Sequence, residues 1–261
     1  MNQLFVKGKV ALVGAGCGDP ELLTVKGMRL LQQADVVLTD RLVSPEIIKQ
    51  YVSPKTEVVY VGKQCRKGAS TPQATINELM VLYAKEGKQV VRLKGGDVSI
   101  FSNVLDELQA LERHHIPYEI VPGITAALGA AAYAGIPLTA RNYATAVRFL
   151  TAYKSDVVPE SYWKELAQTE DTLVFYMSSE TLDTVVEKLV AHGIASDKLL
   201  AVVEQATTPY QKIHTGSLYQ FQENFRDREY LSPTLVIIGK VVALHRQFEW
   251  FESQVQSKEY F

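Results

Sequence analysis

Lys9-Val10-Ala11-Leu12-Val13-Gly14-Ala15-Gly16-Cys17-Gly18-Asp19-Pro20-Glu21 is the stretch that decides the fold. A short apolar run, Lys9 to Val13, reads as a strand. It empties into Gly-x-Gly-x-Gly, and Asp-Pro-Glu then opens a helix expected over Glu21 to Gln33. Strand, glycine turn and helix form the first half of a βαβ unit. Outward from it the same rhythm repeats. Strands are expected at Asp35 to Thr39, Glu57 to Val61, Gln89 to Leu93 and Tyr118 to Val121. A helix is expected over Thr75 to Glu86, with Ile76, Leu79, Met80 and Tyr83 on one face. Ile100, Phe101, Val104, Leu105, Leu108 and Leu111 continue at helical spacing. Such alternation implies a mostly parallel sheet.

The second half has a different grain. Strands are expected at Thr145 to Thr151, Thr172 to Tyr176, Leu199 to Glu204 and Thr234 to Ile238, and helices at Ser161 to Ala167, Thr181 to His192 and Gly216 to Asn224. A polar hairpin-like piece, Gln211 to Thr215, suggests a partly antiparallel sheet. The boundary is placed near Arg141 to Ala144, giving domains 1–143 and 144–261.

Composition narrows the class. The 261 residues carry 27 Lys+Arg against 29 Asp+Glu, a formal charge of −2, with 47% hydrophobic and 21% charged residues. That is globular composition, and it argues against a nucleic-acid coat driven by bulk charge. Cys17 and Cys65 are the only cysteines, so there is no disulfide framework, and a reducing compartment fits. The uncharged segment Ile120 to Ala140 is interrupted by Pro122, Gly123, Gly129, Gly135 and Pro137 and is rich in Ala, which suits a buried segment better than a membrane span. With no signal-peptide core in Met1 to Val10, a soluble cytoplasmic protein is expected.

In open parallel sheets, ligands bind beyond the carboxyl ends of the strands. Those ends here are Gly14 to Asp19, Asp40-Arg41, Gly62-Lys63, Gly95-Gly96-Asp97, Pro122 to Thr125, Tyr176-Met177 and Gln205-Ala206-Thr207. The first loop has the outline of a dinucleotide fingerprint, but Asp19 and Glu21 at the helix start would repel a pyrophosphate. A capped helix explains Asp19 equally well. Lys63, Arg66 and Lys67, joined by Arg41, Arg141, Arg148 and Lys154, read either as solvated charge or as a patch for a polyanion. Gly95-Gly96-Asp97 reads as a turn with a cap or as a ligand-approach loop, and Met177 as core or as ligand contact. No His pair has metal-ligand spacing with a third ligand.

Several of these loops together resemble the tetrapyrrole methylases, and within them the branch that C-methylates uroporphyrinogen III. The resemblance is carried by Val13 to Thr24, Ala34 to Ser44, Val91-Arg92-Leu93-Lys94-Gly95-Gly96-Asp97, Val121-Pro122-Gly123-Ile124-Thr125-Ala126-Ala127, Ala132 to Thr139, Glu204 to Gln211 and Ser232 to Gly239. It implies two α/β domains, the N-terminal one with a mostly parallel sheet and the C-terminal one with a mixed sheet, and the active site in the cleft between them. It implies a homodimer and two methyl transfers from S-adenosylmethionine to uroporphyrinogen III, giving S-adenosylhomocysteine and precorrin-2 for siroheme or cobalamin-type products. The residues it assigns to the donor are Cys17, Gly95, Gly96, Asp97, Ile100, Thr125, Ala126, Met177, Ala206 and Thr234. It assigns Asp40 as proton acceptor, Lys63 as proton donor, and Arg41 and Arg141 to the substrate side. Asp40 reads alternatively as a substrate-orienting group or a helix cap.

The sequence departs from the family in places. Pro usually stands where Cys17 is. The usual Pro-Phe-Ile-Phe-Gly-Arg-Gly-Gly-Glu-Glu is Val98-Ser99-Ile100-Phe101-Ser102-Asn103-Val104-Leu105-Asp106-Glu107, so Asn103 replaces an arginine and cannot supply its positive fork. The usual Thr-His-Arg-Asp is Thr139-Ala140-Arg141-Asn142, and Thr-Gly-His is Thr151-Ala152-Tyr153. These changes fall mostly on the inferred substrate side. They leave open a methylase acting on a later corrin precursor or on RNA, and a weakened donor- or tetrapyrrole-binding protein.

Overall fold

The computed structural model describes residues 8–62, 71–152, 158–178, 180–226, 228–254 and 258–261. The chain divides into two compact units, the first ending at Ala126 and the second running from Ala127 to Tyr260.

The first unit is built on five parallel strands: β1 (Lys9–Gly14), β2 (Val36–Thr39), β3 (Glu57–Tyr60), β4 (Gln89–Lys94) and β5 (Tyr118–Val121), in the order β3-β2-β4-β1-β5. The expected parallel α/β sheet is therefore present. β1 and β2 are almost continuously apolar because both their faces are covered. Val10, Leu12, Val36, Leu38 and Val90 point to one face, under α3 (Gln73–Lys85) and α4 (Val104–Arg113). Ala11, Val13, Val37, Val91 and Leu93 point to the other, under α1 (Val25–Gln33) and α2 (Pro45–Tyr51). The register pairs Gly14 with Lys94, Thr39 with Leu93 and with Tyr60, and Val13 with Val121. The strands thus end level, and their following loops share one edge.

The helix expected from Glu21 is in two pieces. A single 3₁₀ turn, Pro20–Leu22, is capped by Asp19, whose Oδ1 accepts from Glu21 N at 2.8 Å. The α-helix begins only after Thr24, whose hydroxyl caps Gly27 N. Ile100 and Phe101, read as helical, precede α4 instead. Phe101 and Asn103 have positive φ (51° and 53°), which no α-helix accommodates, so the chain reverses before Val104. The helix α2 was not read from the sequence; Pro45 at its first position marks its start.

The second unit takes in α5 (Ala126–Tyr133) from Ala127 on and holds a mixed sheet of β6 (Val147–Thr151), β7 (Thr172–Tyr176), β8 (Leu199–Glu204), β9 (Lys212–Ser217) and β10 (Thr234–Gly239), ordered β6-β7-β10-β8-β9. Only β6 and β7 are parallel; β10 runs against both its neighbours and β9 against β8. The core gathers Trp163 from α6 (Glu160–Gln168), Val185 and Leu189 from α7 (Leu182–Ala191), and Leu173, Phe175, Val202 and Val236 from the sheet. The helix expected from Gly216 is a correction. Gly216 and Ser217 finish β9, where Gly216 pairs with Leu200, and helical structure starts at Leu218. No helix among the described residues is long and apolar enough to cross a membrane.

Candidate active site

The level strand ends of the first unit press backbone against backbone. A Cβ on Gly14 would lie 2.6 Å from Gly123 N, and one on Gly123 would lie 2.3 Å from Gly96 O, so both positions exclude any side chain. Gly16 and Gly96 exchange hydrogen bonds, at 3.1 Å and 2.7 Å, and tie the loop after β1 to the loop after β4. Asp97 ties the latter to the loop after β5: its Oδ1 accepts from Ser99 N at 2.7 Å and its Oδ2 from Gly123 N at 2.9 Å. The Cβ position of Gly96 lies 3.9 Å from Ala126 N and from Thr125 Cα. Cys17, Gly95, Gly96, Asp97, Thr125 and Ala126 therefore belong to one glycine-walled ledge along the sheet's carboxyl edge. Ile100 follows on the same loop as Asp97 and is half-buried.

Asp40 follows β2 on this edge. Its backbone N donates to Leu93 O at 3.2 Å, and its Oδ1 accepts from Arg92 Nη2 at 2.6 Å. Arg92 sits in the middle of β4, its side chain 3% exposed. Its Nε donates to Glu107 Oε1 at 2.9 Å, and its Nη1 reaches the carbonyls of Leu38 (3.3 Å) and Leu93 (3.2 Å). Two residues along the strand, Lys94 Nζ meets both oxygens of the fully buried Glu107, at 2.9 Å and 2.8 Å. Two cations and two carboxylates thus compensate each other inside an otherwise apolar face. Burial works against the Arg92 guanidinium, yet Asp40 and then Glu107 raise its pKa above the ordinary value. Burial, followed by the neighbouring Arg92, lowers that of Lys94.

The sequence singled out Asp40 but missed this support. The signal was there: Arg92 and Lys94 fall on alternate positions of a central strand, interleaved with Val90, Val91 and Leu93. A buried charge pair on one face needs a partner from the covering helix, and Glu107 is the acidic residue that α4 buries.

The other residues are distributed as follows. Arg41 is half-buried directly after Asp40, its backbone against Gly62. Arg141 is exposed in the turn closed by the Ala140–Ala144 bridge. Lys63, Arg66, Lys67 and Lys154 lie outside the described residues. Arg148 is engaged by neighbouring side chains. Its guanidinium is held by Asp171 and Glu165, each at 2.6 Å, and by Thr169, so its charge has structural partners within its own unit.

In the second unit, Met177, Ala206 and Thr234 share one sheet edge. Because β10 is antiparallel to β7 and β8, its first residue, Thr234, pairs with Glu204 at the end of β8, and Leu235 pairs with Tyr176 at the end of β7. Met177 is 47% exposed with φ 53°, so it is a presented side chain and not core. Ala206 lies between Gln205 (φ 47°) and Thr207 (φ 65°). Gln211 Oε1 holds Thr207 N at 2.8 Å, while the buried Gln211 Nε2 has no protein partner among the described residues.

A family model described as Tetrapyrrole (Corrin/Porphyrin) Methylases matches residues 9–222. A siroheme synthase of Acinetobacter baylyi is 50% identical over 244 residues, which is 94% of this chain and 53% of that protein. The chain spans about half the length of the curated relatives it matches. A solved uroporphyrin-III C-methyltransferase of Thermus thermophilus, complexed with S-adenyl homocysteine, is similar at a TM-score of 0.76 and 36% identity, covering 91% of this chain and 100% of that one. A cobalt precorrin-4 methyltransferase, described as a cobalamin biosynthetic enzyme, is similar at a TM-score of 0.79 and 32% identity, covering 90% and 95%.

Proposed function

The chain belongs to the tetrapyrrole methylase family, and on that premise we propose that it C-methylates uroporphyrinogen III twice, with S-adenosylmethionine as donor, giving precorrin-2. The observation that carries the reading is a part-exposed carboxylate, Asp40, held by a buried arginine on the same sheet edge as a backbone ledge in which Gly14 and Gly123 have no room for a side chain.

When bound, the donor supplies an electrophilic methyl on a sulfonium sulfur and leaves as S-adenosylhomocysteine. The residues present fit such a group. The ledge offers peptide dipoles and Asp97, and carries acidic helix-start residues that suit a cation better than a pyrophosphate. We assign Cys17, Gly95, Gly96, Asp97, Ile100, Thr125 and Ala126 of the first unit to it, with Met177, Ala206 and Thr234 of the second. Among the described residues the buried Gln211 Nε2 beside the Ala206 loop has no partner, which leaves a donor unspent near the proposed donor site.

Attack by an electron-rich pyrrole carbon leaves the ring with a proton to lose, and Asp40 is the group we assign to take it. Arg41 and Arg141 face the substrate's carboxylates in this reading, and Lys63 keeps its assignment as proton donor. The same reading makes the working form a cytoplasmic homodimer whose partners are small molecules, with neither nucleic acid nor membrane involved.

The test mixes the pure chain with S-adenosylmethionine and uroporphyrinogen III without oxygen. A dimethylated tetrapyrrole is the expected product, with matching release of S-adenosylhomocysteine, read by mass and chromatography. Donor binding without turnover would support the carrier reading instead. Turnover confined to a cobalt-containing precorrin would support the sister activity that the similarity to the cobalt precorrin-4 enzyme brings into view.

A further inference from the structure

We infer that Arg92 is a positioning residue for the proton-accepting carboxylate, fixing Asp40 by one oxygen so that the other is offered to substrate. The geometry is specific. Arg92 is anchored on three sides by groups that cannot move far: Glu107, and the carbonyls of Leu38 and Leu93 in β2 and β4. Its remaining arm reaches Asp40 Oδ1 at 2.6 Å. Asp40 N hangs on the same Leu93 carbonyl that Arg92 Nη1 engages. Backbone and side chain of Asp40 are therefore referenced to one point of the sheet. Among the described residues no hydrogen bond is made to Asp40 Oδ2, and the side chain is 27% exposed. A planar fork fixes a carboxylate in orientation as well as position, which a flexible ammonium does not.

Glu107 and Lys94 serve this arrangement by offsetting its cost. Lys94 engages both Glu107 oxygens, so Glu107 remains paired when Arg92 is replaced. Arg92 is thus a residue whose outward arm is spent on the ligand edge, while the inward ion pair stands without it.

The inference rests on Asp40 taking the ring proton, and the experiment separates the two. Turnover of uroporphyrinogen III and the KM for S-adenosylmethionine are measured for Arg92→Lys, Arg92→Met, Asp40→Asn and each double variant. Arg92→Lys keeps the charge and is the variant that folds most surely. It is expected to lower kcat by about tenfold or more with the donor KM within about twofold, and Arg92→Met to lower kcat further. In the Asp40→Asn background either Arg92 change should cost less than about twofold more, because the carboxylate it serves is gone. Wild-type kcat in both Arg92 variants, or losses that multiply undiminished on Asp40→Asn, would overturn the positioning role while leaving Asp40 its task. Wild-type kcat in Asp40→Asn alone would remove the reading of Asp40, and the inference with it.

Discussion

The proton acceptor proposed in Asp40 has to be charged, oriented and still reachable. A carboxylate free in water meets the first and third demands, and a buried one only the second. Here the conflict is resolved by holding one oxygen on Arg92 and leaving the side chain partly open. Asp40→Asn keeps the shape and removes the basicity. We expect kcat to fall by about 10² or more, the scale of a lost general base, while the affinity for S-adenosylhomocysteine, measured by calorimetry, stays within about twofold. Equal losses in both would assign Asp40 to binding. Asp40 was legible from sequence because it is a carboxylate at a strand's end, and strand ends are where open parallel sheets bind ligands. Arg92 was not legible as its partner. The two are 52 positions apart, and only the β2–β4 pairing brings them together. Met177 was legible as a position but not in its manner: nothing in a lone Met announces a left-handed backbone.

At the scale of elements, periodicity located strands better than helices. A strand buried on both faces is a nearly continuous apolar run, and β1 and β2 each read that way. Helix starts were misplaced where apolar spacing ran on through segments whose backbone turns: Ile100 and Phe101 before α4, and Gly216 at the end of β9. The charged positions of β4 tie it to α4. Glu107→Gln leaves Arg92 and Lys94 with a single carboxylate between them, and a broken buried pair costs about 3–5 kcal/mol. Urea denaturation should show that loss as a lower midpoint, whereas a shift near zero would mean that water compensates the two cations. A second electrostatic signature lies beside β9, where burial pushes the Tyr230 phenol up from 10.0 to about 12. Between those values the unfolded chain releases this proton and the folded chain keeps it, so stability present below pH 10 is lost as pH rises toward 12. Tyr230→Phe should flatten that alkaline decline in denaturation midpoints measured from pH 9 upward. An unchanged slope would place the titration elsewhere.

Over the whole molecule, the family was legible because its residues recur as ordered loops, and the family model's match over residues 9–222 spans all of them but Ser232 to Gly239. The parallel first sheet followed from the alternation of strands and helices, and the mixed second sheet from the hairpin-like piece Gln211 to Thr215. Ion pairs that join distant positions did not, since charge alone does not say which partner a fold supplies. Ligand linkage now gives the molecule a global readout. A ligand that binds only the folded chain stabilises it by about 2.7 kcal/mol at a hundred times its Kd, which raises the melting temperature by roughly 5–10 °C. S-adenosylhomocysteine should produce that rise in the wild-type chain and in Asp40→Asn. Asp97→Asn should behave differently. Asp97 accepts from two backbone N–H groups, one on its own loop and one at Gly123, and an amide offers only one accepting oxygen to the pair. The other N–H would face a donor, loosening the ledge before any ligand arrives. The variant should melt lower on its own and gain clearly less from S-adenosylhomocysteine, because part of the binding energy goes into re-forming the loops. A full wild-type rise in Asp97→Asn would mean that the ledge is not where the donor product binds.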